Sequence, residues 1–131
     1  MKYTNDYETN PEFLAMKAKA DRGFTSDCRA VAVRYSLGKK HDMSVLYYTK
    51  GMERGDLNSQ YGLANHLLFT DAVLDIPRGY RLLVDAVEKG HLPSIAKLGE
   101  ECIAGREIPR DIPRAFKLFE KFHEEVLRVE A

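Results

Sequence analysis

The acidic residues of this sequence include two adjacent pairs that are the first candidates for acid–base chemistry, Glu100 with Glu101 and Glu124 with Glu125. Hydrolysis by two carboxyl groups requires that both converge on one substrate, and a nucleophilic mechanism requires a base beside the nucleophile. Neighbouring residues on a helix point about 100° apart, so neither pair can share a proton. We therefore interpret both pairs as solvated helix surface, and the sequence predicts no catalytic residues.

Histidine and cysteine side chains are the next candidates for chemistry. They occur at His41, His66, His91, His123, Cys28 and Cys102. None forms an HExxH motif or a CxxC pair, so we predict free thiols, no metal and no cofactor. Cys102 is expected to be an inert core residue, whereas Cys28 could be accessible. For His66 we favour packing at the edge of a pocket, with ligand binding as the alternative.

The charge balance of the chain disfavours one class of partner. The 131 residues include 20 Lys and Arg and 20 Asp and Glu, so the formal net charge is zero. Nucleic-acid binding depends mainly on Lys and Arg contacts with phosphate, and we therefore expect no nucleic-acid partner. A chain of this length typically forms one domain that buries its core without a disulfide.

The hydropathy of the chain gives an expectation about its location. Residues 1–10 are polar and acidic and lack the apolar segment of a signal peptide. No later segment approaches the roughly 18 consecutive apolar residues of a membrane span. We expect a cytoplasmic protein with no membrane partner.

The sequence also contains an internal repeat, which indicates the elements that position these side chains. The segment Asp-Ile-Pro-Arg at 75–78 recurs 36 positions later at 111–114, and similar residues follow each copy. Upstream of these, 55–57 aligns with 90–92, and a weaker third copy begins at Gly23. A period of this size indicates stacked units of supersecondary structure.

Each unit has the pattern of two helices joined by a turn. In the last unit, the first helix should run from Leu92 to Ala104 and end at a left-handed Gly105, and Asp111 should cap the second. Gly99 lies inside the first helix, where glycine costs about 1 kcal/mol relative to alanine, so we expect its paired helix to approach closely there. The second helix should pack through an apolar stripe at Ile112, Ala115, Phe116, Phe119 and Phe122.

The repeated residues resemble the Sel-one-like repeat (SLR) family, a branch of the tetratricopeptide superfamily. The last unit carries the family's Gly-His pair at 90–91, its Leu-Gly pair at 98–99 and its aspartate at Asp111, but it departs from the family at Cys102 and Glu107. The resemblance implies an all-α fold, a right-handed solenoid of antiparallel helix pairs. It also implies a structural hydrogen bond at His91.

The same resemblance divides the chain. We expect a single SLR solenoid domain over residues 1–131, made of an N-terminal tail and capping helix (1–22), three repeats (23–54, 55–89 and 90–125) and the end of the C-terminal helix (126–131). Terminal segments act as caps in repeat proteins, because one helix pair cannot bury its apolar side alone.

A concave face lined by the first helices of the units is a further implication of the resemblance. Its groove-facing positions are Ser26, Arg29, Val33, Asn58, Tyr61, Asn65, Leu68, Ala96, Glu100 and Ile103. Aromatic, amide and apolar side chains of this kind are typical of protein interfaces. The alternative is that Tyr61, Leu68 and Phe69 fill the interior of a tightly curled solenoid.

From these features we predict a non-catalytic protein–protein interaction module, in the form of a small immunity-type inhibitor or regulator that holds a protein or peptide partner on its concave face. The alternative is a hydrolase-like enzyme whose site assembles across helices from His66, Glu100 or Cys28. A third hypothesis is self-association through exposed tyrosines at Tyr47, Tyr48 and Tyr80.

Overall fold

The structure, a computed structural model, describes residues 6–130, which fold into seven α-helices and contain no strand. The helices are Pro11–Asp21 (α1), Thr25–Leu37 (α2), His41–Glu53 (α3), Leu57–Phe69 (α4), Ile76–Glu88 (α5), Leu92–Ala104 (α6) and Ile112–Glu130 (α7). Two short 3-10 helices, Asp6–Thr9 and Asp71–Val73, precede α1 and α5. The predicted all-α fold is confirmed, and the first five residues of the predicted tail and Ala131 lie outside the described residues.

Helices that follow one another in sequence pack against one another. The most extensive contacts join α2 to α3, α4 to α5 and α6 to α7, and further contacts link these pairs through α3 with α4 and α5 with α6. Packing between sequence neighbours is the property that defines a solenoid. Each of the first two pairs falls within one of the repeats that we propose, α6 and α7 span the third and the C-terminal end, and α1 covers α2.

The ends of the helices follow from their capping residues. The carboxylates of Asp75 and Asp111 accept hydrogen bonds from the backbone N–H groups of Arg78 (3.3 Å) and Arg114 (3.1 Å), in the first turns of α5 and α7. Gly105 ends α6 in the left-handed region with φ of 66°. The structure therefore confirms the predicted cap of α7 at Asp111, the predicted end of α6 at Gly105 and the predicted bounds of α6.

The N-terminal segment is anchored on α1 and α2 by aromatic packing. The ring of Tyr7 contacts Phe13 at 5.1 Å between centroids and Tyr35 at 6.2 Å, both edge to face. Edge-to-face pairs of this kind add to the stabilisation that burial provides. Tyr7 thus packs, together with Phe13 of α1, against Tyr35 of the first proposed repeat.

The last two helices approach closely at Gly99. A Cβ atom added there would lie 2.8 Å from the Phe119 ring of α7, closer than a carbon contact allows, so the predicted approach is confirmed. The predicted stripe on α7 is wrong in part: Ala115 is buried as predicted, but Phe116 is 68% exposed, and Leu118, which the stripe did not include, is buried. Helix α7 packs extensively on α6 alone, so its opposite face stays open within residues 6–130.

Candidate interaction surface

Side chains from four helices line one concavity of about 440 Å³. Its lining residues are Arg29, Val33, Tyr48, Asn58, Tyr61, Gly62, Asn65, His66 and Pro93. They come from α2, α3, α4 and α6, so three of the four elements are first helices of the proposed repeats. The structure thereby brings together five of the ten predicted residues: Arg29, Val33, Asn58, Tyr61 and Asn65.

The other five predicted residues lie outside the lining of this concavity. Ser26, Glu100 and Ile103 are exposed, and Ala96 is half-buried. Leu68 is fully buried, so its prediction as a surface residue is wrong. The alternative prediction, that Tyr61, Leu68 and Phe69 fill the interior of the solenoid, is therefore correct for Leu68. It is correct in part for Tyr61 and Phe69, because these two side chains are half-buried and pack against the core of the last two helix pairs.

Three lining residues, Tyr48, Gly62 and Pro93, were not predicted. Tyr48 belongs to α3, a second helix of a unit, whereas the predicted groove positions all lie on first helices. Its ring lies where a Cβ on Gly62 would have to be, so the glycine lets Tyr48 reach the concavity. A glycine inside α4, next to the predicted Tyr61, was the signal that could have revealed this contact.

An ion pair holds Arg29 at one edge of the concavity. Its Nε donates to Oδ2 of Asp56 at 2.9 Å, and the same carboxylate oxygen accepts from the backbone N–H and the hydroxyl of Ser59 at 3.2 and 2.6 Å. Asp56 is the N-cap of α4. The contact therefore ties the first proposed repeat to the second and orients the guanidinium.

His91 holds the lining residue Asn58 in place. Its Nε2 donates to Oδ1 of Asn58 at 2.7 Å, so its Nδ1 is left to accept from the hydroxyl of Ser94, also at 2.7 Å. The His91 ring also contacts Tyr61 at 5.6 Å between centroids. The predicted structural hydrogen bond at His91 is confirmed, and it connects α6 to the lining of α4.

His66 lines the concavity at the point where α2, α3 and α4 meet. Its Nε2 is 3.1 Å from Oγ of Ser36 and 3.3 Å from Oγ of Ser44, and its Nδ1 is 3.3 Å from the carbonyl oxygen of Gly62. The ring also packs against Tyr48 at 5.4 Å. This placement agrees with the expected packing at the edge of a pocket.

Both of these histidines should make the stability of the protein depend on pH. Burial lowers the pKa of His66 and of His91 below the ordinary value for histidine. The folded state therefore binds fewer protons than the unfolded state near pH 6, and stability should be complete above about pH 6.5 and decline as pH falls through the lowered pKa values.

Urea denaturation at several pH values measures this decline. We expect the free energy of unfolding to depend less on pH in a His66→Gln variant than in the wild type, whereas His123→Gln, at an exposed site, should keep the wild-type dependence. An unchanged pH dependence in His66→Gln would contradict the assignment to His66.

Two expectations about accessible side chains are wrong. Cys28 is fully buried, with its Sγ 3.4 Å from the carbonyl oxygen of Ala20, and burial raises the pKa of its thiol. Tyr47 and Tyr48 are 2% and 8% exposed, so neither is available for self-association. Cys102 is fully buried, as predicted.

Glu101 is also buried, which overturns its interpretation as solvated surface. Its carboxylate pairs with the guanidinium of Arg106 and lies 3.7 Å from Nζ of Lys97. Both cations lie over the ring of Phe69, at 5.4 and 4.7 Å from its centroid. Glu101 therefore anchors the α6–α7 loop, whereas its neighbour Glu100 is exposed.

Glu125 is buried as well, at 8% exposure, and pairs with Arg128 on the following turn of α7. The adjacent Glu124 is exposed, as predicted. In both acidic pairs, one carboxylate thus faces the protein and the other faces solvent.

Within residues 6–130, no group of three or more His, Cys, Asp or Glu side chains is arranged to hold a metal ion. None of the helices in that range is long and apolar enough to span a bilayer.

Comparison with known proteins identifies the fold. No protein-family model matches the sequence, and no curated protein matches it. Among solved structures, a Sel1 repeat protein from Oxalobacter formigenes superposes with a TM-score of 0.70 over 95% of this chain and 98% of that chain, at 20% sequence identity. This chain therefore has the solenoid fold of a Sel1 repeat protein, as its repeated residues indicate.

Proposed function

We propose that this protein is a non-catalytic module that holds a protein or peptide partner in the concavity between α2, α4 and α6. The observation that carries the proposal is the convergence of residues from three proposed repeats on one depression of about 440 Å³. Extended concave surfaces of this kind are the usual binding sites of solenoid proteins.

The lining suits a peptide segment with an apolar or aromatic side chain. Val33, Tyr61 and Pro93 supply apolar surface, and Asn58 and Asn65 supply amide groups beside it. Amides can bond the N–H and C=O groups of an extended chain, and a central tyrosine is a common energetic anchor.

The finer form of the proposal is a small immunity-type inhibitor or regulator that acts on one protein in the cytoplasm. One concavity shared by three helix pairs has room for one segment of a partner, not for the assembly of several. Co-expression with the product of the adjacent gene, followed by size exclusion, tests this form. Co-elution supports it, and separate elution contradicts it.

The binding surface is tested by affinity measurements. The partner is captured from the native cell with the wild-type protein, identified by mass spectrometry and purified for calorimetry. We expect Tyr61→Ala and Asn65→Ala to weaken binding by about 10-fold or more, because they remove the aromatic anchor and an amide of the lining.

Two further variants separate binding from stability. Val33→Glu changes a lining residue that is 45% exposed, so it should weaken binding and keep the thermal midpoint. Leu37→Ala removes a side chain that is 77% exposed and outside the lining, and it should leave both unchanged. Wild-type affinity in Tyr61→Ala, Asn65→Ala and Val33→Glu would refute the proposed surface.

One observation favours a second candidate function, a hydrolase-like activity. Oγ of Ser36 lies 3.1 Å from Nε2 of His66, which is the distance of a nucleophile from its base. The trio of the sequence hypothesis does not line this concavity together, because Cys28 is fully buried and Glu100 is exposed on α6 outside the lining. An ester-hydrolysis assay tests this candidate. Activity in the wild type that is lost in both Ser36→Ala and His66→Ala would favour the hydrolase over the binding module.

A further inference from the structure

The outer face of the last helix pair carries apolar side chains that contact no following helix within residues 6–130. Phe116 and Leu127 on α7 are 68% and 53% exposed, and Phe119 on the same helix is 37% exposed. Ile103 at the end of α6 is 46% exposed. None of these residues lines the concavity.

The repeat itself shows what kind of surface this is. Phe119 aligns with Leu83 in the second unit and with Tyr48 in the first, and these two are 0% and 8% exposed. Ile103 aligns with Leu68, which is 0% exposed. The same positions are thus buried in the units that another helix pair follows. The outer face therefore has the chemistry of a surface that packs against a helix of another repeat.

Four residues form a continuous stripe along this face of α7. Phe116, Glu120, His123 and Leu127 follow one another at spacings of four, three and four, which keeps them on one side of a helix. Phe116, Glu120, His123 and Leu127 are all exposed. We call this set the α7 stripe; it has an apolar residue at each end and an acid and an imidazole at its centre.

The order of residues in the α7 stripe is self-complementary. A two-fold axis between Glu120 and His123 would run two copies of α7 antiparallel and place Phe116 of one copy against Leu127 of the other. The same axis would place each Glu120 against the other copy's His123, where the imidazole can donate to the carboxylate. A parallel pair would instead set Glu120 against Glu120.

We propose that a second copy of this chain packs on the α7 stripe through an antiparallel, two-fold contact between the two α7 helices. Such a contact buries the apolar ends of both stripes and pairs their polar centres, as an isologous interface requires. Its area is limited to one helix face, so the dimer should be weak and depend on concentration.

Analytical ultracentrifugation of the full chain tests the contact. We expect the wild type to shift from monomer to dimer between about 10 and 500 µM. Phe116→Glu should raise the dissociation constant about 10-fold or more, because it places a carboxylate against the partner copy's Leu127. Leu37→Glu, a matched change at a similarly exposed apolar residue of α2, should dimerise like the wild type.

An exchange of the central residues tests the pairing itself. His123→Glu alone sets acids against acids and should weaken the dimer, whereas adding Glu120→His restores one acid and one imidazole in each pair and should recover it. Because none of these sites is buried, the variants should fold, and circular dichroism checks that they do.

Oxidative cross-linking tests the direction of the helices. A mixture of Phe116→Cys and Leu127→Cys proteins should form the mixed disulfide, since both native cysteines are buried. A wild type that stays monomeric throughout, a Phe116→Glu variant that dimerises normally, or preferential cross-linking of the Phe116→Cys protein to itself would each overturn the proposal.

Discussion

Replacing Leu98 with alanine is expected to lower the free energy of unfolding by about 3 kcal/mol, within the range observed for buried leucines. Leu98 is 1% exposed and packs in the core that joins α4, α5, α6 and α7, together with Leu68 and Leu83. Truncation removes buried methyl groups and leaves a cavity. Helices α4 and α5 cannot close this cavity, because each of them is also packed against its other neighbours. Urea denaturation measures the loss, with a slope like that of the wild type.

Leu37→Ala is the matched control for this prediction. Leu37 is the same residue type in a helix, but it is 77% exposed, so its truncation should change stability by no more than about 0.5 kcal/mol. A loss at Leu98 as small as the loss at Leu37 would mean that α6 does not share a core with the helices before it.

The second large effect is expected at Glu101, whose carboxylate is fully buried between two cations. Glu101→Ala removes the ion pairs that join α6 to its following loop and should cost about 2 kcal/mol. The Arg106 side chain is 60% exposed, so in the variant its guanidinium can be solvated by water. The loss of stability should therefore be smaller than the loss caused by a buried charge that has no partner.

Two variants show whether the effect comes from the charge of Glu101. Glu101→Gln keeps the shape and loses the charge, so its loss of stability should be intermediate. Glu100→Ala changes the adjacent, exposed carboxylate and should be nearly neutral. Chemical denaturation of the three variants gives the comparison, and equal losses at 100 and 101 would contradict the structural role of Glu101.

The repeat pattern predicted the path of the chain well because local signals define it. Asp111 marks the start of α7 through the hydrogen bond that its carboxylate accepts, and Gly105 marks the end of α6 through its left-handed backbone. Gly99 indicated a close helix contact because a glycine there has no other benefit to a helix. Such signals depend on a few neighbouring residues, so sequence alone contains them.

The errors share a different physical origin. Leu68, Phe116 and Glu101 were each assigned to the wrong environment, and in each case the presence or absence of another element decides how buried the residue is. Leu68 is enclosed by α5, Phe116 has no following helix among the described residues, and Glu101 finds Arg106 beyond the end of α6. Periodicity defines which side of a helix a residue lies on, but not what covers that side.

The candidate surface was predicted in part for the same reason. Arg29, Asn58 and Tyr61 project from first helices, whose positions the repeat defines. Tyr48 and Pro93 enter the lining through contacts between repeats, which depend on the curvature of the solenoid. Curvature results from small rotations at each helix interface, and no single residue signals it.

The most direct test of the binding surface is hydrogen–deuterium exchange of the protein with and without its purified partner. Binding in the concavity should slow exchange in peptides of α2 and α4 that contain Arg29, Asn58 and Tyr61, and in the first turn of α6, and it should leave the outer face of α7 unaffected. Slower exchange confined to α5 and α7, with none in residues 57–66, would contradict the proposal that the concavity holds the partner.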